Sequence, residues 1–142
     1  MLAHIKPLTV IASAYRADAS LLMNHKNHLA ALDFLLRSNL HCTVAVGSWK
    51  EEGQDKPAQE LSIVIEADSD SLPALQTLFL KTFKQDAILI IKGMEEQLAS
   101  LLFNDGTSCE LGRFQAIPEE EALQSECYTF IDGAYYVAKE AA

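Results

Sequence analysis

A chain of 142 residues, 49% of them apolar, is the size of one domain and can bury a substantial core. Acidic residues outnumber basic ones 20 to 11, for a formal net charge of -9, which argues against a binder of nucleic-acid phosphates, whose affinity would rest on a basic patch. No apolar run reaches the roughly 20 residues needed to cross a bilayer, so no membrane partner is expected, and the first residues carry no signal-peptide pattern.

The first strand is expected at residues 8–14, ending at Tyr15, Arg16, Ala17 and Asp18. Asp18 or Ser20 can cap the helix that follows, in which Leu22, His25, Leu29, Leu32 and Leu36 recur at spacings of three and four. That stripe is expected to pack on a sheet, and Asn39 to stop the helix.

Residues 40–67 read as strand, exposed turn, strand. Leu40, Cys42, Val44 and Val46 alternate onto one face, as do Leu61, Ile63 and Ile65, the period of two that a half-buried strand requires. This hairpin is expected to be the centre of the sheet. Its turn carries Trp49, Glu51 and Glu52 between Gly47 and Gly53, and Pro57 belongs in the loop or at a strand edge. Asp68 to Ser71 offer caps for a second helix with Pro73 in its first turn and Leu72, Leu75, Leu78, Phe79 and Phe83 at helical spacing. Residues 87–91 are a buried strand.

The order strand, helix, strand, strand, helix, strand is the split βαβ plan of a ferredoxin-like α+β sandwich, its two helices on one sheet face. The other face is small, β-branched or aromatic, with Thr9, Ile11, Ser13 and Tyr15 on one strand and Thr43, Ala45, Gly47 and Trp49 on another. A solvent face would carry more charge. The face is expected to be covered by another subunit of a cyclic oligomer, or else by the C-terminal third folding back over it.

That third is expected to add strands: a helical turn at residues 94–99, short strands at 100–103 and within 109–117, and an acidic helix or loop from Pro118. A hairpin is expected where Asp132 and Gly133 separate residues 127–131 from 134–137. Without repeats or a long linker, residues 1–142 are expected to form a single domain.

Little here reads as familiar catalytic machinery. Cys42, Cys109 and Cys127 form no close metal-ligand pair, which favours a reducing, cytoplasmic setting. His25 and His28 are three apart on a helix and can face one side, but the simpler reading packs one and leaves the other half exposed. No glycine-rich phosphate cradle follows the first strand, and His41 and Cys42 point to opposite faces. Tyr15 and Trp49 are expected at the ends of core strands, where their rings can stack on a flat heterocycle or meet a cation, with Glu51 or Glu52 alongside to hold an ammonium or sulfonium.

Four segments in order carry a family resemblance. They are Ser13-Ala14-Tyr15-Arg16 before a His-bearing, Leu-rich helix; Gly47-Ser48-Trp49-Lys50-Glu51, followed by Pro57-Ala58-Gln59-Glu60; Gln85-Asp86-Ala87-Ile88-Leu89-Ile90; and Gly112-Arg113-Phe114-Gln115-Ala116-Ile117-Pro118 with residues 127–132. Together they cover most of the chain, which resembles the phage-encoded S-adenosylmethionine-degrading enzymes, long called hydrolases and better described as lyases. Trp49 stands where a tyrosine can occur, and Glu52 is a second acid beside Glu51.

The resemblance implies a PII-like homotrimer with active sites between subunits, and cleavage of S-adenosylmethionine to 5′-methylthioadenosine and L-homoserine lactone without metal or cofactor. Within it, Glu51 would be catalytic, holding the substrate ammonium, with Ser13, Tyr15, Arg16, Trp49 and Glu52 in substrate binding. The role implied is depletion of a host's methyl donor to blunt methylation-dependent restriction. The alternatives are a non-catalytic PII-like sensor of an adenine-containing ligand at subunit clefts, and a structural interaction module.

Overall fold

In a computed structural model, which describes residues 7–49 and 58–140 apart from the side chain of Trp49, the sheet closes on itself. The elements are β1 (Pro7–Ala12), α1 (Leu21–Arg37), β2 (His41–Trp49), β3 (Ala58–Asp68), α2 (Leu72–Gln76), β4 (Ala87–Lys92), β5 (Leu98–Phe103), β6 (Ser108–Ile117), α3 (Glu119–Gln124), β7 (Cys127–Ile131) and β8 (Ala134–Lys139). α2 runs on as a π-helical stretch, Thr77–Thr82.

The strands follow the order β1-β3-β2-β7-β8-β6-β5-β4, and β4 pairs back with β1. Every ladder is antiparallel. This overturns the open ferredoxin-like, PII-like sandwich expected from the element order. The order through β4 is as read, but β5 to β8 join the same sheet and close it into an eight-stranded barrel. A closed barrel has no central hairpin either, since β2 is flanked by β3 and β7 as every strand is flanked.

Closure gives the sheet two apolar layers. Outside, Val10, Ala12, Ile63, Ile65, Ile88 and Ile90 pack beneath α1 and α2 against Leu35, Leu75 and Phe79. Inside, Ile11, Ile91, Ala99 and Phe114 meet Val64, Leu89, Leu111 and Tyr136. The mixed face of β1 is thus buried by the chain's own C-terminal third. A third cluster, Ala122, Tyr128 and Val137, seats α3.

Local chemistry sets the corners. Ser20 caps α1 by accepting from the Met23 N–H at 3.1 Å, and Asn39 leaves the helix at φ 58°. Asp132 (φ 47°) and Gly133 (φ 83°) form the left-handed pair of a tight hairpin turn. Gln97 (φ 48°) precedes β5, so the helical turn expected there is only a turn. Ala99 pairs with Gly112 and Ser100 with Glu110, so Leu111 is an extra residue, a bulge that bends β6. Gly112 sits there at φ 97°, where an added Cβ would lie 2.1 Å from the Lys139 carbonyl oxygen.

The inward stripe of α1 is not the expected one. Asn24, His28, Ala31 and Leu35 are buried, while Leu22, Leu29 and Leu36 are 63–67% exposed. The reason lies at the helix's first turns: Asn24 accepts from the Arg16 N–H at 2.9 Å and donates to the Arg16 carbonyl at 3.0 Å, which fixes the rotation of the helix. Val44, expected in the core, is 46% exposed on the same outer side. Among the described residues no helix is long and apolar enough to cross a membrane.

The two stripes make opposite predictions for urea denaturation. Leu35→Ala is expected to cost about 2–5 kcal/mol, the range for deleting a buried leucine side chain. Leu29→Lys should stay within about 0.5 kcal/mol, as for an exposed position. Comparable losses would place the expected stripe inward after all.

Candidate active site at one end of the barrel

The C-terminal ends of β1 and β5 and the N-terminal ends of β3 and β4 meet at one end of the barrel, because antiparallel pairing sets Ala12 opposite Ile63 and Ala87 opposite Phe103. Over this end lies a cleft of about 1060 Å³ lined by Tyr15, Arg16, Asp18, Glu60, Lys84 and Gln85 among others. Below it the barrel lumen forms a second space of about 330 Å³. Glu60, Gln85, Ala87 and Leu101 line both, so one space leads into the other.

The segment after β1 is held from three sides. The Ser13 hydroxyl donates to the Leu61 carbonyl at 2.8 Å and accepts from the Tyr15 N–H at 3.0 Å, so Ser13 shapes the strand end. Gln85 Nε2 donates to the Tyr15 carbonyl at 2.8 Å. Arg16 grips Asp18 with Nε at 2.9 Å and a terminal nitrogen at 3.2 Å, and also donates to the Lys84 carbonyl. The guanidinium holds the Asp18 carboxyl below its ordinary pKa, first through these hydrogen bonds and then through its charge. Arg16 is thereby a fixed cation at the cleft wall, and Asp18 its partner, leaving the capping of α1 to Ser20.

The Tyr15 ring lies 5.9 Å from the His25 ring and 6.1 Å, edge to face, from that of His28. Burial, and then the charge of Glu60, raise the pKa of the Tyr15 hydroxyl, which stays a proton donor in the working range. His28 is buried and its Nδ1 has no hydrogen-bond partner, whereas His25 is exposed. The pair therefore supports a tyrosine ring, in line with the simpler reading, and among the described residues no three metal-ligating side chains converge.

The other expected site residues are placed only in part. The backbone of Trp49 ends β2 between Ala58 and Cys127, at the same end of the barrel as Tyr15. Its side chain, and Glu51 and Glu52 entirely, lie outside the described residues. Sequence reasoning passed over Glu60 and Gln85 as site residues. Alternation could have found Glu60, since it lies out of phase with Leu61, Ile63 and Ile65 and in phase with Ser62 and Val64, which face inward.

A carboxylate, a fixed guanidinium and a tyrosine around a cleft that carries charged groups and opens into an apolar lumen suit a ligand that is zwitterionic at one end and uncharged at the other. A family model described as the S-adenosylmethionine lyase family matches residues 10–139. The chain belongs to that family. No curated relative matches it. As an S-adenosylmethionine lyase the protein is an enzyme that degrades S-adenosylmethionine to 5′-methylthioadenosine and homoserine lactone, which sets aside the sensor and the structural module.

In this lyase, the Tyr15 support has a pH dependence. Burial, and secondarily the charge of His25, keep the His28 pKa below its ordinary 6.5, so the folded state favours neutral imidazole. Above that value both states are neutral and nothing is lost. As pH falls below it, the unfolded chain binds a proton that the folded chain resists, and stability drops. The thermal midpoint is expected to fall between about pH 7 and about pH 5 with a steeper slope in the native protein than in His28→Gln. Parallel slopes would remove His28 from this role.

Proposed function

We propose that the lyase folds the methionine tail of S-adenosylmethionine in the cleft so that the substrate's own carboxylate attacks its Cγ. The C–O bond forms as the C–S bond breaks, the bonding pair leaves with sulfur, and the products are neutral 5′-methylthioadenosine and the lactone. The observation that carries this reading is the passage from charged cleft to apolar lumen at Glu60. A sulfonium is already a good leaving group, so the protein's contribution is orientation, an intramolecular near-attack geometry. Carboxylate and sulfonium charges cancel as the reaction proceeds, so a water-poor wall near the sulfur favours the transition state over the ground state.

The substrate ammonium keeps its charge throughout and offers three donors, enough for two acids. Glu51, the catalytic residue implied by resemblance, and Glu60, chosen by position, share it in this reading. Glu52, next to Glu51 in sequence, is assigned to substrate binding. Tyr15 and Trp49 line the sulfonium and ribose, and Ser13 keeps the strand end in shape. Arg16, neutralised by Asp18, steers the substrate carboxylate without gripping it hard enough to quench the nucleophile. No metal or added cofactor takes part.

The enzyme works as a homotrimer whose active sites lie between subunits. The cleft, at about 1060 Å³, is at the upper end of small-ligand pockets, which leaves room for a neighbouring subunit to complete its wall and supports association. The proposed setting is the cytoplasm, the host's if the chain is phage-encoded, consistent with three free cysteines. There it lowers the methyl donor on which restriction-modification depends.

Incubation of purified protein with S-adenosylmethionine and no metal, followed by mass spectrometry at short times, is expected to show 5′-methylthioadenosine together with homoserine lactone before homoserine. Immediate homoserine labelled from heavy-oxygen water would mean hydrolysis. Glu51→Gln and Glu60→Gln are each expected to lower kcat/KM about 10- to 100-fold, the worth of one charge-assisted hydrogen bond, with the melting temperature kept. Full activity in both folded variants would overturn the acid assignment. Light scattering is expected to give a trimer mass, and a stable, active monomer would remove the shared-site model.

A further inference from the structure

We propose that the barrel lumen is the nucleobase subsite of this lyase, taking the adenine ring of substrate and product edge-first while the zwitterionic tail stays in the cleft. The inference rests on the cleavage reading above and adds where the uncharged half of the ligand goes.

An apolar void inside a barrel costs stability, because its lining forgoes the contacts that close packing would supply. Here about 330 Å³ stays open, within the size range of small-ligand pockets. The sequence keeps it open at a specific point. Gly47 lines the lumen, and a Cβ there would meet the Ser62 hydroxyl oxygen at 2.8 Å, so a larger residue would push Ser62 into the space.

The walls match a flat ring. Phe114 and Tyr136 stack on one another with centroids 5.3 Å apart and planes within 8°, a plate that forms one side of the lumen. Leu89, Leu101 and Ile11 supply aliphatic surface for the rest. Ammonium and carboxylate would lose hydration there without compensation, which excludes the amino-acid end. A nucleobase presents apolar faces and a polar edge, and the lining offers hydroxyls to that edge, Ser62 and Thr129 among them, together with Ser48, whose buried Oγ has no hydrogen-bond partner. The order of residues along the passage agrees: Glu60 and Gln85 at the boundary, charged groups outside, and aromatic and aliphatic groups within.

The probe is 5′-methylthioadenosine, which carries the base and lacks the amino-acid tail. Its titration into the full-length protein is expected to shift the ring resonances of Phe114 and Tyr136. Ala138→Leu, which adds volume at a lumen-lining position, is expected to weaken binding of 5′-methylthioadenosine by at least about tenfold, as loss of one stacked base contact would. It should also raise KM for S-adenosylmethionine more than it lowers kcat, with the melting temperature kept. Unshifted Phe114 and Tyr136 resonances at saturation would overturn the proposal even if the variant fails to fold, as would unchanged affinity in a folded variant. Binding in the lumen without cleavage of S-adenosylmethionine would leave the subsite standing and remove the proposed reaction. Cleavage with KM unchanged in Ala138→Leu would do the reverse.

Discussion

The structure depends on one ladder, the pairing of β2 with β7. Val46 to Trp49 lie opposite Phe130 to Cys127. Without that contact β2 would be an open edge and β5 to β8 an appendage on β4. With it, every strand has two neighbours, no backbone edge is left to solvent, and the same sheet acquires an inside and an outside. The outer layer receives the helices and most of the large apolar side chains. The inner layer is more mixed, with Gly47, Ser62 and Thr129 beside Phe114 and Tyr136, and keeps a lumen.

That division explains why the site lies where it does. Strand ends are where a barrel stops supplying its own hydrogen-bond partners, and the chain after β1 is tied instead by side chains: Ser13 to Leu61, Asn24 to Arg16 and Gln85 to Tyr15. Arg16 is further locked by Asp18 and the Lys84 carbonyl, so its charge is placed before any ligand arrives. The helix serves the site as much as the core. Asn24 and His28, polar residues on its buried face, support Arg16 and Tyr15 respectively, and that service selects which face of α1 turns inward.

The reaction asks little more of such a scaffold than orientation and a gradient of polarity. A substrate that loses two opposite charges on the way to product is favoured where polar surroundings give way to apolar ones. A strand end above a partly empty barrel provides that gradient from ordinary parts, without needing a strongly activated nucleophile.

Much of this was legible in the amino-acid order, because local rules govern it. Alternation marks the β2 and β3 runs, Asp132 and Gly133 mark a hairpin, Ser20 and Asn39 bracket α1, and Trp49 ends β2 as expected, while β1 stops at Ala12, three residues before Tyr15. These features depend on neighbours within a few residues. Three others did not follow. α1 carries two apolar stripes, Leu22-Leu29-Leu36 and Ala31-Leu35, and periodicity alone favours the larger side chains, whereas hydrogen bonds to Arg16, distant from the stripe, decide for the smaller. The composition of the inner face of β1 calls for a cover, but the choice between another subunit and the chain's own β5 to β8 is a matter of long-range pairing. The gathering of Glu60 and Gln85 around Tyr15 joins three strand ends far apart in sequence. The sequence by itself determined the elements, their turns and the residue types of the site. Tertiary structure decided closure, helix rotation and the meeting of cleft and lumen, since each is settled by contacts between segments that no local pattern relates.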